Sequence, residues 1–336
     1  MARVVAAPDK FRGTATAREV AEAIAAAAQE AGWRCDQVPI ADGGEGTLDV
    51  MAGRWRTTEV RDPRGRPVVA PWRLDGTTAV VEMARASGLS LVGGPEGNDP
   101  VAADTAGTGQ LVAAAVKEGA KRVIVGVGGS ATTDGGLGAL RALEPHSRLH
   151  GVQLIVACDV ETRFLDAATV FAPQKGATPS QVALLSRRLE RLAAMYQDDY
   201  GVDVRPLPGG GAAGGLAGGL AAIGAQLVPG FDVVADAVDL AERMEGADLV
   251  VTGEGLLDEQ SFHGKSVGGV VALAAEVGVP VLVVAGDIAW DGVGDPEVPC
   301  VSLVERFGRT RAMEDTLQCV RLVVAGHLEG RPLTSA

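Results

Sequence analysis

The sequence has 336 residues, more than a single hydrophobic core usually serves, so two domains with separate interiors are expected. Its formal charge of −13 at pH 7 argues against a nucleic-acid partner, because no Lys/Arg-rich run offsets the repulsion locally. Apolar residues make up 47% and aromatic residues only 4%, so the core must be built from Val, Leu and Ala, the palette of parallel sheets covered by helices.

In chain order, the first strand is expected at residues 3–7, and the first helix opens at Thr16. Thr16 and Glu19 have the spacing of a capping box, and Gly32 suits the helix exit. Between strand and helix lies Pro8-Asp9-Lys10-Phe11-Arg12-Gly13, a charged loop at the carboxyl end of a strand, where open α/β sheets bind ligands. Further strands are predicted at 37–40, 79–83, 122–127, 152–158, 248–252, 281–285 and 300–304. Helices are predicted at 108–118, 178–196, 214–223, 266–276 and 311–328, with Thr178, Pro179 and Gln181 marking one start. This alternation of apolar runs and helical segments is the pattern of βα units, so the fold class is α/β. No repeat or long linker interrupts it, which makes a discontinuous domain plausible.

Residues 206–231 carry no charge, but they are too rich in Gly and Ala for a membrane span and read as a helix packed closely on a sheet or ligand. Cys35, Cys158, Cys300 and Cys319 are far apart, without CxxC spacing and with no secretory leader before them. They read as reduced packing residues of a cytoplasmic protein.

The sharpest motif is Val125-Gly126-Val127-Gly128-Gly129-Ser130-Ala131-Thr132-Thr133-Asp134-Gly135-Gly136. Its glycines let backbone N–H groups converge on an anion, its hydroxyls add donors, and phosphate is the natural guest. A plain strand-to-helix turn would not need so many glycines. Gly126-x-Gly128-x-x-Ala131 also fits a permissive dinucleotide fingerprint, but that motif wants a helix at once and an acidic residue about 20 positions on. Gly264-Lys265-Ser266 resembles the end of a P-loop, yet Glu259 stands where the P-loop requires its first glycine. The acidic loop around Asp42 and Glu45 could hold a hydrated cation or a substrate hydroxyl, or could merely cap a helix. Asp159 follows a predicted strand and Lys175 lies in a loop, positions that also suit simple solvation.

Taken in order, these segments resemble the bacterial glycerate kinases of the glycerate 2-kinase type. The matching stretches are residues 7–13, 41–47, 82–84 with 87–89, 107–109, 128–136, 158–160, 171–177, 211–215, 252–255, and Asp258 with His263-Gly264-Lys265. The resemblance implies two lobes: a Rossmann-like one of residues 1–75 and 240–336 with a mainly parallel sheet, and a central α/β lobe of residues 76–239, with the active site in the cleft. It implies ATP-dependent phosphorylation of D-glycerate, with Mg²⁺, to 2-phosphoglycerate. Gly128, Gly129, Ser130, Ala131 and Thr132 would then hold ATP, and Asp42, Glu45, Asp159 and Lys265 are the catalytic candidates. Asp9, Lys10, Arg12, Lys175, Glu254 and His263 would bind substrate, with a supporting hydrogen bond preferred over direct catalysis for His263. Asp134 and Asp42 are the metal candidates. The partners implied are small molecules, glycerate and ATP, with no nucleic acid and no membrane; homo-oligomerisation is left open, as is the choice of general base.

Three features depart from the family pattern. The connection between Gly138 and Gly151 is short, Thr162-Arg163-Phe164 stands where Asn-Pro-Leu is common, and Leu256 stands where Arg is common. They leave room for a kinase acting on a related hydroxy acid or for a ligand-binding relative with weakened turnover, beside the NAD-dependent dehydrogenase that the fingerprint would suggest.

Overall fold

The computed structural model describes residues 1–262, 266–290 and 298–330. Its strands, in chain order, are β1 (Arg3–Ala6), β2 (Arg34–Gln37), β3 (Arg54–Arg61), β4 (Pro67–Asp75), β5 (Thr78–Glu82), β6 (Arg122–Gly126), β7 (Gln153–Ala157), β8 (Gln226–Val228), β9 (Leu249–Leu257), β10 (Val281–Ile288) and β11 (Cys300–Ser302). The chain divides into two compact units, Met1–Asp42 with Phe231–Ala336, and Gly43–Gly230.

The first unit is built on a sheet of order β11-β10-β9-β1-β2 in which every pair is parallel. The unbroken apolar runs of β1, β9 and β10 are what a parallel sheet covered on both faces requires. The helix Ala17–Glu30 buries Val20, Ala21, Ile24, Ala27 and Ala28 at helical spacing, and its Thr16–Glu19 capping box is formed as expected. Together with the helix Thr316–Leu328 it packs over Val4, Ala6, Leu249, Val251, Leu282 and Val284.

In the second unit the order is β3-β4-β5-β6-β7-β8, with β5 to β8 parallel and β3, β4 and β5 joined antiparallel. Its core gathers Trp72, Met83, Leu111, Phe164, Leu189, Tyr196 and Leu216. The long helix Pro179–Tyr200 starts on the Thr178–Gln181 capping box, and its buried Tyr196 hydroxyl donates 2.8 Å to the Gly135 carbonyl.

Four expectations are corrected. Residues 43–75 belong to the second unit, because the β3–β4 hairpin pairs with β5, and residues 231–239 belong to the first. The hairpin gives a weak strand signal, because charges dominate β3 and Pro67 and Pro71 interrupt the apolar run of β4; Val60, Ala70 and Trp72 are buried while Trp55 and Val69 are exposed. The predicted strand at 37–40 forms earlier, at Arg34–Gln37, and the predicted helix 311–328 is two helices, Arg309–Glu314 and Thr316–Leu328. No described helix is long and apolar enough to cross a membrane. The Gly/Ala-rich segment is the helix Ala212–Ala222, broken near its start where Ala213, Gly214 and Gly215 take left-handed backbone angles.

Candidate active site

In the second unit the glycine-rich loop leaves the carboxyl end of β6 and is laced to the segment after β5. Leu89 N–H donates 2.8 Å to the Gly129 carbonyl, and Ala131 N–H donates 3.0 Å to the Ser87 carbonyl. Gly129 itself has φ +63°, a turn that a side chain would strain. Gly128, Gly129 and Ser130 then face a cavity of about 350 Å³ whose other walls include Gln174, Lys175, Ala212 and Ala213. Ala131 and Thr132, also expected to hold nucleotide, are fully buried behind this surface, so within the loop it is Gly128 to Ser130 that line the cavity. The dinucleotide fingerprint fails on the same geometry, since the next helix starts only at Leu137.

Lys175 is the residue that gives this cavity its chemistry. Its side chain is buried, and Nζ donates 2.7 Å to Ser130 Oγ and 2.6 Å to the Thr132 carbonyl. No carboxylate pairs with it among the described residues. Burial therefore pushes its pKa from 10.5 down to about 7, against a smaller upward pull from Asp134.

A stability test follows from that shift. Above about pH 7 the folded protein has released the Lys175 proton, while the unfolded chain keeps it up to about 10.5. Between these values the unfolded state binds more protons, so stability rises with pH, by on the order of 1.4 kcal/mol per unit at most, and the gain is lost as pH falls through 7. Denaturant unfolding of the wild type relative to Lys175→Met should show this divergence between about pH 7 and 10. Parallel pH profiles would mean that Lys175 is solvated in the folded state.

Asp134 has a structural position rather than the metal-binding one expected of it. Its Oδ2 accepts from Thr105 N (3.0 Å), Thr105 Oγ1 (2.8 Å) and Gly138 N (3.0 Å), and its Oδ1 accepts from Gly136 N (3.1 Å). Burial raises its pKa, and these hydrogen bonds oppose the rise. The carboxylate ties the end of the glycine-rich loop to the start of the helix Ala106–Lys117, and its oxygens are committed to that task. Asp159 is similarly engaged, accepting 2.7 Å from Gly230 N–H. Glu45 is exposed on a loop whose backbone comes close to Gly128.

Three contributors to this unit were not singled out for their roles by the sequence. Glu82, buried at the end of β5, accepts from Gly46 N (3.0 Å) and Leu48 N (2.8 Å) through Oε1, and from Arg85 Nε (2.9 Å) through Oε2. It anchors the loop that carries Glu45. Asn98 donates 2.9 Å to both the Ala131 and the Lys175 carbonyls, clamping the two loops that shape the cavity. Ala213 lines the cavity at φ 54°, strained for a residue with a side chain. A carboxylate ending an apolar strand was a usable signal for Glu82; an isolated Asn in a loop carries none.

In the first unit, the loop after β1 brings Asp9, Lys10 and Asp42 together. Asp9 Oδ1 accepts from Lys10 N (2.6 Å) and from Lys10 Nζ (3.4 Å), and its Oδ2 accepts from Ser266 Oγ (2.7 Å). Lys10 Nζ also reaches Asp42 Oδ1 at 3.4 Å. Burial raises the pKa of Asp9 despite the neighbouring ammonium. Burial works against the charge of Lys10, but the Asp9 and Asp42 carboxylates outweigh it and raise the Lys10 pKa. Arg12 is exposed on the same loop, and Glu254 lies on β9. His263 and Lys265 lie outside the described residues. Asp42, Asp9, Lys10, Arg12 and Glu254 thus belong to one unit, and Glu45, Asp159, Lys175, Asp134 and the glycine-rich loop to the other.

The family model described as the Glycerate kinase family matches residues 4–146 and 144–318. A glycerate kinase of Bacillus subtilis (strain 168) is 40% identical over 329 residues, covering 86% of each chain. A glycerate 2-kinase of Escherichia coli (strain K12) is 37% identical over 334 residues, again with 86% of each covered. The crystal structure of a protein assigned as glycerate kinase 2 from Salmonella typhimurium LT2 superposes with a TM-score of 0.83 at 36% identity, covering 98% of this chain and 99% of that one. With a family match that runs through both units and relatives similar over most of its length, this chain belongs to the glycerate kinase family.

Proposed function

We propose that the protein transfers the γ-phosphoryl group of ATP to the 2-hydroxyl of D-glycerate, giving 2-phosphoglycerate and ADP. The observation that carries the nucleotide part is the buried Lys175, unpaired with any described carboxylate, beside the Gly128–Ser130 backbone in a cavity of about 350 Å³. Phosphoryl transfer needs alignment and charge neutralisation more than covalent chemistry, and a buried ammonium beside the Gly128–Ser130 backbone is suited to both. Lys175 would become fully protonated as the phosphates enter, which strengthens its bonds to them.

Magnesium suits a site of this composition when it arrives with the nucleotide. Among the described residues no group of three or more His, Cys, Asp or Glu side chains could hold a metal ion. Mg²⁺ commonly takes substrate phosphates, waters and only one or two carboxylates, so Glu45, on its loop against Gly128, is the proposed protein ligand. The ion would neutralise charge on the transferred group.

Glycerate is proposed to bind on the loop after β1. The carboxylate would meet Lys10 and Arg12, and the 2-hydroxyl would lose its proton to Asp42 as its oxygen attacks the γ-phosphorus. The bond from that phosphorus to the bridging oxygen breaks, and ADP departs. Asp42 is the better placed base because its side chain is 31% exposed against 7% for Asp9, whose oxygens both already accept hydrogen bonds. Free small molecules in the cytoplasm are the proposed substrates.

The product is tested by coupling to enolase, which acts on 2-phosphoglycerate without a mutase. Signal that appears only after phosphoglycerate mutase is added would assign the product as the 3-phosphate. Leu256, where the family often carries Arg, is 54% exposed and offers no cation, which leaves Arg12 as the planar fork for the substrate carboxylate. Arg12→Ala is expected to raise the KM for glycerate about 10–100-fold while changing that for ATP less than about threefold. Equal increases for both substrates would show that Arg12 does not read glycerate.

A further inference from the structure

A second cavity in the Gly43–Gly230 unit, about 540 Å³ in volume, lies apart from the surface of the glycine-rich loop. Its lining includes Arg61, Arg141 and Arg188 together with Gln110, Asp104 and Asp134. None of the three arginines is ion-paired with a carboxylate among the described residues. The two acids in the lining are turned to backbone instead. Asp104 Oδ1 accepts 2.9 Å from Ala106 N–H, and Asp134 spends both oxygens on Thr105, Gly136 and Gly138. Arg188 is tethered by its Nη1 donating 2.7 Å to the Val101 carbonyl, and the Arg61 backbone is held by Gln110 Oε1 at 2.8 Å. In a chain of net charge −13, this leaves a concave surface lined by three arginines, none of them in an ion pair with a described carboxylate.

We propose that this cavity is a binding site for a small polyanion, a phosphate ester or pyrophosphate-like group, gripped by Arg61, Arg141 and Arg188. Guanidinium forks bind phosphate oxygens two at a time, and three on one concave wall suit a ligand carrying two or more negative charges. The site is separate from the one proposed for ATP, since Arg61, Arg141 and Arg188 are absent from the lining of the Lys175 cavity. It shares one structural element with that region: Asp134 lines this cavity and also secures the end of the glycine-rich loop. Occupancy here therefore acts on a wall that the nucleotide loop depends on.

The test is calorimetric titration of the full-length protein with inorganic pyrophosphate, without nucleotide. The Lys175→Met variant removes the cation of the other cavity, so pyrophosphate binding that persists in it reports the arginine site. That residual binding should weaken at least tenfold when Arg141→Ala is added, and again with Arg188→Ala. Arg141→Ala alone should leave turnover without pyrophosphate unchanged. The proposal fails if Lys175→Met abolishes all binding, or if the arginine substitutions leave the residual affinity intact. It fails equally if Arg141→Ala lowers the melting temperature in anion-free buffer and does nothing to binding, because Arg141 would then only balance the buried Asp134. Neither failure touches the kinase reading, which rests on the other cavity.

Discussion

Lys175→Met is expected to lower kcat/KM for ATP by about 10²–10³-fold, the usual scale for removing one preorganised charge donor from a site that stabilises transferring phosphate. Methionine keeps the length of the side chain and fills the buried space, so the fold should survive. Loss of the donor leaves Ser130 Oγ and the Thr132 carbonyl without their Lys175 bonds, at about 1–3 kcal/mol for each group left unsatisfied. Removal of a buried charge with no paired carboxylate offsets that cost. Steady-state kinetics beside a melting curve separate the outcomes. A variant that melts near the wild type with intact kcat/KM would show that Lys175 is a packing residue, and the nucleotide would have to bind elsewhere.

Gly214→Ala should be among the most damaging single-methyl changes in the second unit, at about 3–5 kcal/mol, combining backbone strain with overpacking. Gly214 sits at φ +71°, and an added Cβ would lie 2.0 Å from the Thr132 carbonyl oxygen and 2.7 Å from Thr133 Cα. Both neighbours are backbone, so neither can swing aside. The Thr132 carbonyl is also the acceptor for Lys175, so displacing it disturbs the cavity as well as the packing. Gly224→Ala is the matched control. Its φ is +97°, but an added Cβ meets nothing within 4 Å, so only the strain of about 1 kcal/mol remains. Denaturation midpoints that place the two variants level would show that the Gly214 segment can move off the glycine-rich loop.

The consequences for nucleotide binding are connected. Asn98 bonds to the carbonyls of Ala131 and Lys175, Lys175 bonds to Ser130 and Thr132, and Gly214 packs on Thr132. Each contact joins segments distant in sequence, and together they shape the cavity wall. The helix break at Ala213, Gly214 and Gly215 belongs to this arrangement, because it lets the chain approach Thr132 before the regular helix begins.

By itself the sequence determined the elements whose causes are local. Capping boxes at Thr16 and Thr178, unbroken apolar runs in β1, β9 and β10, and a glycine-rich segment after β6 all express interactions among near neighbours. For the same reason Gly128, Gly129 and Ser130 could be named as part of a glycine-rich loop, whereas Lys175, read by itself, suited solvation equally well and was singled out only by the family resemblance. Only the tertiary structure decided what depends on distant partners. The β3–β4–β5 meander pairs locally, but its place in the second unit is set by β5 pairing with β6, which is distant in sequence. Asp134 is indistinguishable from a metal ligand in sequence, and becomes a loop anchor once Thr105, Gly136 and Gly138 are folded around it. Lys175 lost its water, and with it most of its ordinary basicity, only through burial behind Ser130 and Thr132. Desolvation is a property of the surroundings, and no residue carries it in its own letter.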